Sequence, residues 1–284
     1  MAVPNDKRKL SLITLVGHDN PVGPKGDNVA MLAVSNNYRA SNGICYRIEG
    51  EGEPLLLLHG LMVSGAMFDP LVELLRHRFR MLIPDLRGHG KSGDLAGPYD
   101  VEALTSDLDI VLAEASFDSC AVMGYSHGGA VAQRLAYTRS AVVRKLILAC
   151  TYACSVATLR ERIEVNVLLA LLGFLSPGTI GRLFVLGLGS QQTEWLQSLL
   201  ASNRAPAMRG AVRGLIMFDS RPWLKEITVP TLVVGGTHDR AVPRHHFDAL
   251  VRGIPSAVGY MVDRAGHTLI WTHTRELADI VGAQ

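Results

Sequence analysis

From about residue 44 onward, short uncharged runs alternate with longer stretches of mixed polarity. ICYRI (44–48) alternates apolar and polar positions, as a strand with one solvated face does. LLLL (55–58) is apolar at every position and predicts a strand buried on both faces. MLIP (81–84), CAVMG (120–124), KLILA (145–149), TLVVGG (231–236) and VGYMV (258–262) share that character. Helix-like spacing fills the intervals 66–76, 101–114, 128–137 and 244–251, and a last helix is predicted after Thr268. Apolar strands alternating with helices predict an α/β fold, a mostly parallel sheet flanked by helices.

The alternation stops after Cys150 and resumes near Pro230. The interval 155–222 is leucine-rich and helical in pattern, so it reads as a helical cap inserted over one end of the sheet. The core is then 40–154 plus 223–284. Within the cap, 165–181 carries no charge and approaches the ~20 residues a membrane span needs. Pro177, Gly173, Gly178, Gly181 and Gly187 interrupt it, and Glu164 and Arg182 flank it, which favours apolar helices over a greasy cavity. Residues 1–39 include the turn-rich DNPVGPKGDN and read as a partly disordered N-terminal extension.

Composition narrows the function classes. The chain has 284 residues, 48% hydrophobic and 19% charged, with a net charge of +2. That suits a globular protein and gives no basic stripe for nucleic acid. Cys45, Cys120, Cys150 and Cys154 form no C-x-x-C pair, and the expectation is reduced, buried thiols in a cytoplasmic protein. KRKLSLITLVG lacks a clean cleavage site for a secretory signal.

The stretch GYSHGG raises the chemical question. Gly124-Tyr125-Ser126-His127-Gly128 fits G-x-S-x-G, a sharp strand-to-helix turn that presents a serine. The serine needs a base, and the base needs an orienting acid. Asp239 follows the TLVVGG strand and His267 follows the VGYMV strand, so the order is serine, aspartate, histidine. All three are predicted at one edge of the sheet, beyond the carboxyl ends of strands, where open α/β sheets bind ligands. Asp85 and His89 in DLRGHGKS read as parts of a turn-rich loop. His238, His245 and His246 lack metal-ligand spacing, and no glycine-rich phosphate loop is present.

With LLLLHG, DLRGHGKS, GYSHGG, HDRAVP and AGH in this order, the chain from about residue 44 resembles the α/β-hydrolase family, in its serine-hydrolase branch with a helical cap after the sixth strand. The resemblance implies Ser126 as nucleophile, His267 as general base and then acid, and Asp239 as the carboxylate that fixes the imidazole. It implies an oxyanion hole from the backbone N–H groups of Leu61 and His127, with His59 shaping the loop. No metal or organic cofactor is implied.

The expected activity is hydrolysis of a lipophilic carboxylic ester or related acyl compound through an acyl-enzyme. Lactonase, thioesterase, carbon–carbon bond hydrolase and cofactor-free haloperoxidase-like activities share this constellation. So does a small-ligand receptor built on the same scaffold. VLLALLGFL and RLFVLGLG in the cap, with Met62, Met67 and Phe68 after the oxyanion loop, are candidate walls for an apolar substrate. The expected partner is a small lipophilic acyl compound. Membrane contact through the cap is a further alternative, and the oligomeric state is open.

Overall fold

The computed structural model describes residues 36–184 and 190–283. Most of the proposed N-terminal extension, and 185–189 of the cap, lie outside them. Eight strands form one sheet: β1 (Asn36–Arg39), β2 (Cys45–Glu49), β3 (Glu53–Leu58), β4 (Phe79–Pro84), β5 (Cys120–Tyr125), β6 (Val143–Ala149), β7 (Thr231–Gly236) and β8 (Ala257–Val262). Their order is β1-β2-β4-β3-β5-β6-β7-β8. β1 and β2 run antiparallel to their neighbours, and the other pairings are parallel.

β3 shows why an all-leucine run suits this sheet. All four leucines are fully buried, yet they serve opposite faces. Leu55 and Leu57 join one apolar cluster with Leu71, Val72 and Leu75 of α1 (Asp69–Leu75) and Leu277 and Val281 of α10 (Thr274–Gly282). Leu56 and Leu58 join the other, with Leu104 and Leu108 of α2 (Val101–Glu114), Leu135 of α3 (His127–Thr138) and Leu250 of α8 (Arg244–Gly253). Successive strand side chains point to opposite faces. The part of the strand covered by helices on both sides, residues 55–58, therefore has no polar position, while Glu53 at its start is exposed.

The first strand is a correction. Residues 36–39 were placed in the extension, but they pair with β2. The NNYR sequence has no apolar run because the strand lies at the sheet edge, with positions 37–39 exposed. Its one aromatic, Tyr38, stacks on Tyr46 of β2 at 5.3 Å between ring centroids.

Between β6 and β7 the chain forms α4 (Leu159–Phe174), α5 (Pro177–Phe184), α6 (Ser190–Ala201) and α7 (Ala205–Met217). Where the chain leaves and returns, Cys154 and Asp219 form an antiparallel bridge. Ser155 Oγ donates to Leu215 O at 2.7 Å at the same neck. Thr158 and Glu161 close a reciprocal capping box that starts α4. Leu172, Leu199, Leu200, Met208 and Val212 from the cap merge into the same apolar cluster as Leu55 and Leu57. The uncharged 165–181 segment is broken at Ser176 between α4 and α5, and among the described residues no helix is long and apolar enough to cross a membrane.

Candidate active site

β5, β6, β7 and β8 are consecutive neighbours and mutually parallel, so their carboxyl ends share one edge. Ser126 follows β5 directly, Asp239 lies three residues past β7, and His267 lies five past β8. The structure brings these three together. His267 Nε2 is 3.1 Å from Ser126 Oγ, and His267 Nδ1 is 2.9 Å from Asp239 Oδ2.

The hydrogen bonds fix the proton positions. Asp239 Oδ1 accepts from the backbone N–H groups of Ala241 (3.0 Å) and Val242 (2.8 Å). Its Oδ2 is left to accept from Nδ1–H of His267, which leaves Nε2 as the acceptor facing the serine hydroxyl. The Asp239 side chain is 2% exposed and that of His267 is 29% exposed. The carboxylate is therefore locked away, while the imidazole edge still meets the space above Ser126.

Ser126 has φ 52° and ψ −120°, a conformation that costs about 1–3 kcal/mol for a residue with a side chain. Its surroundings enforce it. Ser126 N donates to Ala149 O at the end of β6, and Thr151 Oγ1 donates to Ser126 O at 2.6 Å. α3 then departs so close to β3 that a Cβ on Gly128 would stand 2.1 Å from Leu58 O. Glycine at 128 is a requirement of that approach.

The loop after β3 passes over the serine. A Cβ built on Gly60 would lie 3.3 Å from Ser126 Cβ and 3.8 Å from its Oγ. Leu61 follows Gly60 in this loop, and His127 opens α3, where the first amides have no intrahelical partner. The two sequence-predicted oxyanion donors thus follow, in the chain, residues that stand at the nucleophile, Gly60 and Ser126 itself. His59 is fully buried within the loop. Its Nε2 accepts from Leu86 N at 2.9 Å, and its Nδ1–H donates to Gly60 O at 2.8 Å. Burial lowers this imidazole to about 4, so it remains neutral and ties the oxyanion loop to the 85–92 loop.

Other sequence-predicted residues resolve into supports. Asp85 accepts from Gly65 N at 2.7 Å and Lys91 N at 2.8 Å, closing its own loop and tying it to the end of the oxyanion loop. Met62, Met67 and Phe68 are buried in the apolar cluster beneath the cap, and Met67 Sδ lies 3.4 Å from Gly60 N. All four cysteines are free and buried. Both His245 Nε2 and His246 Nε2 lie 2.8 Å from Glu161 Oε1, tying the start of α4 to the start of α8.

Sequence reasoning missed Tyr125. Its hydroxyl donates to His267 O at 2.7 Å and accepts from Ile270 N at 3.3 Å, bracing the histidine loop. Burial pushes this phenol well above its ordinary range, so it stays a neutral donor. The available signal was an aromatic with a polar tip ending an otherwise aliphatic strand.

This chain belongs to the Alpha/beta hydrolase family, which it matches over residues 55–280. Among similar proteins, a pimeloyl-(acyl-carrier protein) methyl ester esterase of Vibrio atlanticus is 31% identical over 247 residues, covering 82% of this chain and 94% of that one. A bromoperoxidase from Bacillus anthracis superposes with a TM-score of 0.82 at 20% identity, over 87% of this chain and 99% of that one. An enol-lactonase from Burkholderia xenovorans does so with a TM-score of 0.79 at 21% identity, over 87% and 98%. The two structural likenesses speak for the fold alone. The family and the esterase relative make the chain a hydrolase of the alpha/beta type.

Proposed function

We propose that this chain is a serine hydrolase that cleaves lipophilic carboxylic esters or related acyl compounds through an acyl-enzyme. The observation that carries the reading is the continuous hydrogen-bonded line from Ser126 Oγ through the His267 ring to Asp239. In the first step His267 Nε2 takes the Ser126 proton as Oγ attacks the substrate carbonyl carbon. The Asp239 carboxylate stabilises the imidazolium, and the negative charge on the carbonyl oxygen develops between the Leu61 and His127 amides.

Nε2–H then protonates the leaving alcohol, and the ester bond breaks to leave Ser126 acylated. In the second step His267 takes a proton from water, hydroxide attacks the acyl carbonyl, and the acid departs as Ser126 regains its proton. Every group these steps need is supplied by the chain itself.

The apolar cap residues support a lipophilic substrate. Partly buried Leu61, Trp195 and Trp271 pack against the cluster containing Leu199, Met208 and Val212, and Trp195 and Trp271 meet edge to face at 5.4 Å. An active site beside apolar residues of this kind favours an acyl chain or ring over a sugar or charged peptide.

A fluorophosphonate is expected to label the protein once, at Ser126, and Ser126→Ala is expected to abolish labelling. Ser126→Ala or His267→Ala should lower kcat for p-nitrophenyl esters by on the order of 10⁶. Labelling that persists in Ser126→Ala, or His267→Ala with normal turnover, refutes the mechanism. Saturable ligand binding without multiple turnover would point instead to a receptor on this scaffold. A series of esters of increasing chain length then measures the acyl preference.

A further inference from the structure

The oxyanion loop is secured to the core at both ends. His59 Nε2 accepts from Leu86 N at one end, and Gly65 N donates to Asp85 at the other. Its middle is less settled, because Met62 sits at φ 64°, a region that residues with a side chain leave when free to do so. The group that meets Met62 comes from the cap. Asn203, in the short link between α6 and α7, donates from Nδ2 to Met62 O at 2.7 Å. The second Nδ2 proton goes to Leu199 O at 2.9 Å, and Oδ1 accepts from Gly90 N at 3.2 Å.

This side chain is 5% exposed. Two carbonyls on one side and one N–H on the other permit only this orientation of the amide. The three partners belong to the oxyanion loop, the 85–92 loop and the end of α6, so one carboxamide joins the cap to both loops beside the nucleophile. Met62 O lies two peptide units beyond the one that carries the Leu61 N–H, so a shift at Met62 is passed to that amide through a short stretch of backbone.

We propose that Asn203 is a positioning residue for the reaction, a cap-borne strap that holds the oxyanion loop so that the Leu61 N–H points at the developing oxyanion. It never touches the reacting atoms; it acts through Met62. This rests on the serine-hydrolase reading above. The cap therefore acts on the rate of chemistry through the oxyanion loop.

The test compares Asn203→Asp and Asn203→Ala with Arg204→Ala, using p-nitrophenyl acetate and a tight-binding trifluoromethyl ketone. Asn203→Asp keeps the side-chain size and the acceptor for Gly90 while losing both Nδ2 donors, to Met62 O and Leu199 O. Asn203→Ala removes the same donors without adding a charge, so either variant carries the test if the other does not fold. Arg204 makes an exposed cap-to-core ion pair with Asp94 at 2.5 Å, one residue away, and serves as the control.

Both Asn203 variants are expected to lower kcat 10- to 100-fold with KM changed less than threefold. Affinity for the ketone, whose adduct carries the oxyanion, should weaken by the same factor as kcat. Arg204→Ala should retain wild-type kcat. An Asn203→Asp protein with kcat within twofold of wild type overturns the proposal. So does a loss of kcat in Asn203→Asp that Arg204→Ala reproduces, or one that leaves ketone affinity unchanged. Failure of the underlying reading has a different signature: wild type that turns over these esters no faster than Ser126→Ala.

Discussion

His267 reaches Ser126 because its loop is braced from behind, and Tyr125 supplies the brace. Its hydroxyl serves two backbone groups of the histidine loop, His267 O and Ile270 N, from the end of β5, the strand that leads into Ser126. Tyr125→Phe leaves that carbonyl and amide buried without their partner, which is expected to cost about 1–3 kcal/mol in urea unfolding. The freed loop should also lower kcat for a p-nitrophenyl ester about tenfold with little change in KM, since only the alignment of the imidazole is affected. An unchanged kcat alongside the stability loss would restrict Tyr125 to a structural role. The residues that carry the chemistry were legible in the sequence, because Ser126, Asp239 and His267 each follow an apolar run that forms a strand, although the VGYMV run before His267 is an edge strand with 258–260 exposed and not the doubly buried strand its composition predicts. Tyr125 and Asn203 were not. Their roles depend on partners 142 and 141 residues away, and no local pattern encodes a hydrogen bond to a distant backbone carbonyl.

At the scale of elements, glycines show where packing is closed and where it is open. At Gly128 the departure of α3 from the nucleophile turn brings its backbone against β3, and an added Cβ would meet Leu58 O at 2.1 Å and His59 O at 2.6 Å. Both obstacles are main chain and cannot swing aside. Gly128→Ala is expected to cost about 4 kcal/mol or more and to leave little folded protein, as read by the thermal midpoint. Gly173 in α4 is the contrasting case, exposed and with nothing nearer its added Cβ than Arg209 Nη1 at 4.0 Å. Gly173→Ala should stabilise by about 0.5–1 kcal/mol through helix propensity alone, and a lowered midpoint would contradict that account of α4. The same distinction explains what the sequence revealed of the elements. Fully buried strands such as β3 and β7 announce themselves as apolar runs, whereas the edge strand β1 has no buried face to demand one. The link from His245 and His246 to Glu161 was hidden for a related reason, since it joins helices that only the folded cap brings together.

Over the whole molecule, three imidazoles are buried without charge beneath the active-site loops, and this makes stability depend on pH. Burial lowers His59 to about 4, and His89 and His127 to about 3. His59 and His89 meet edge to face at 5.1 Å, and His127 Nδ1 is paired with the Tyr152 hydroxyl at 3.0 Å. Nε2 of His89 and Nε2 of His127 have no hydrogen-bond partner, so a proton added there would have no acceptor. Each folded-state value lies below the ordinary 6.5, so between them the unfolded chain binds more protons than the folded one. Their contribution is therefore complete above pH about 6.5 and is lost progressively as the pH falls towards about 3–4. At pH 5 the loss is on the order of 2 kcal/mol for a single imidazole lowered in this way, a large fraction of the stability of an ordinary domain. The urea midpoint is expected to fall steeply from pH 7 to pH 5, before most carboxylates begin to protonate. His89→Asn keeps a donor for Arg87 O while removing the titrating ring, and it should lose less stability over that interval than the native chain. A midpoint that stays level from pH 7 to pH 5, or a native-like slope in His89→Asn, would show that these rings take up protons in place without unfolding.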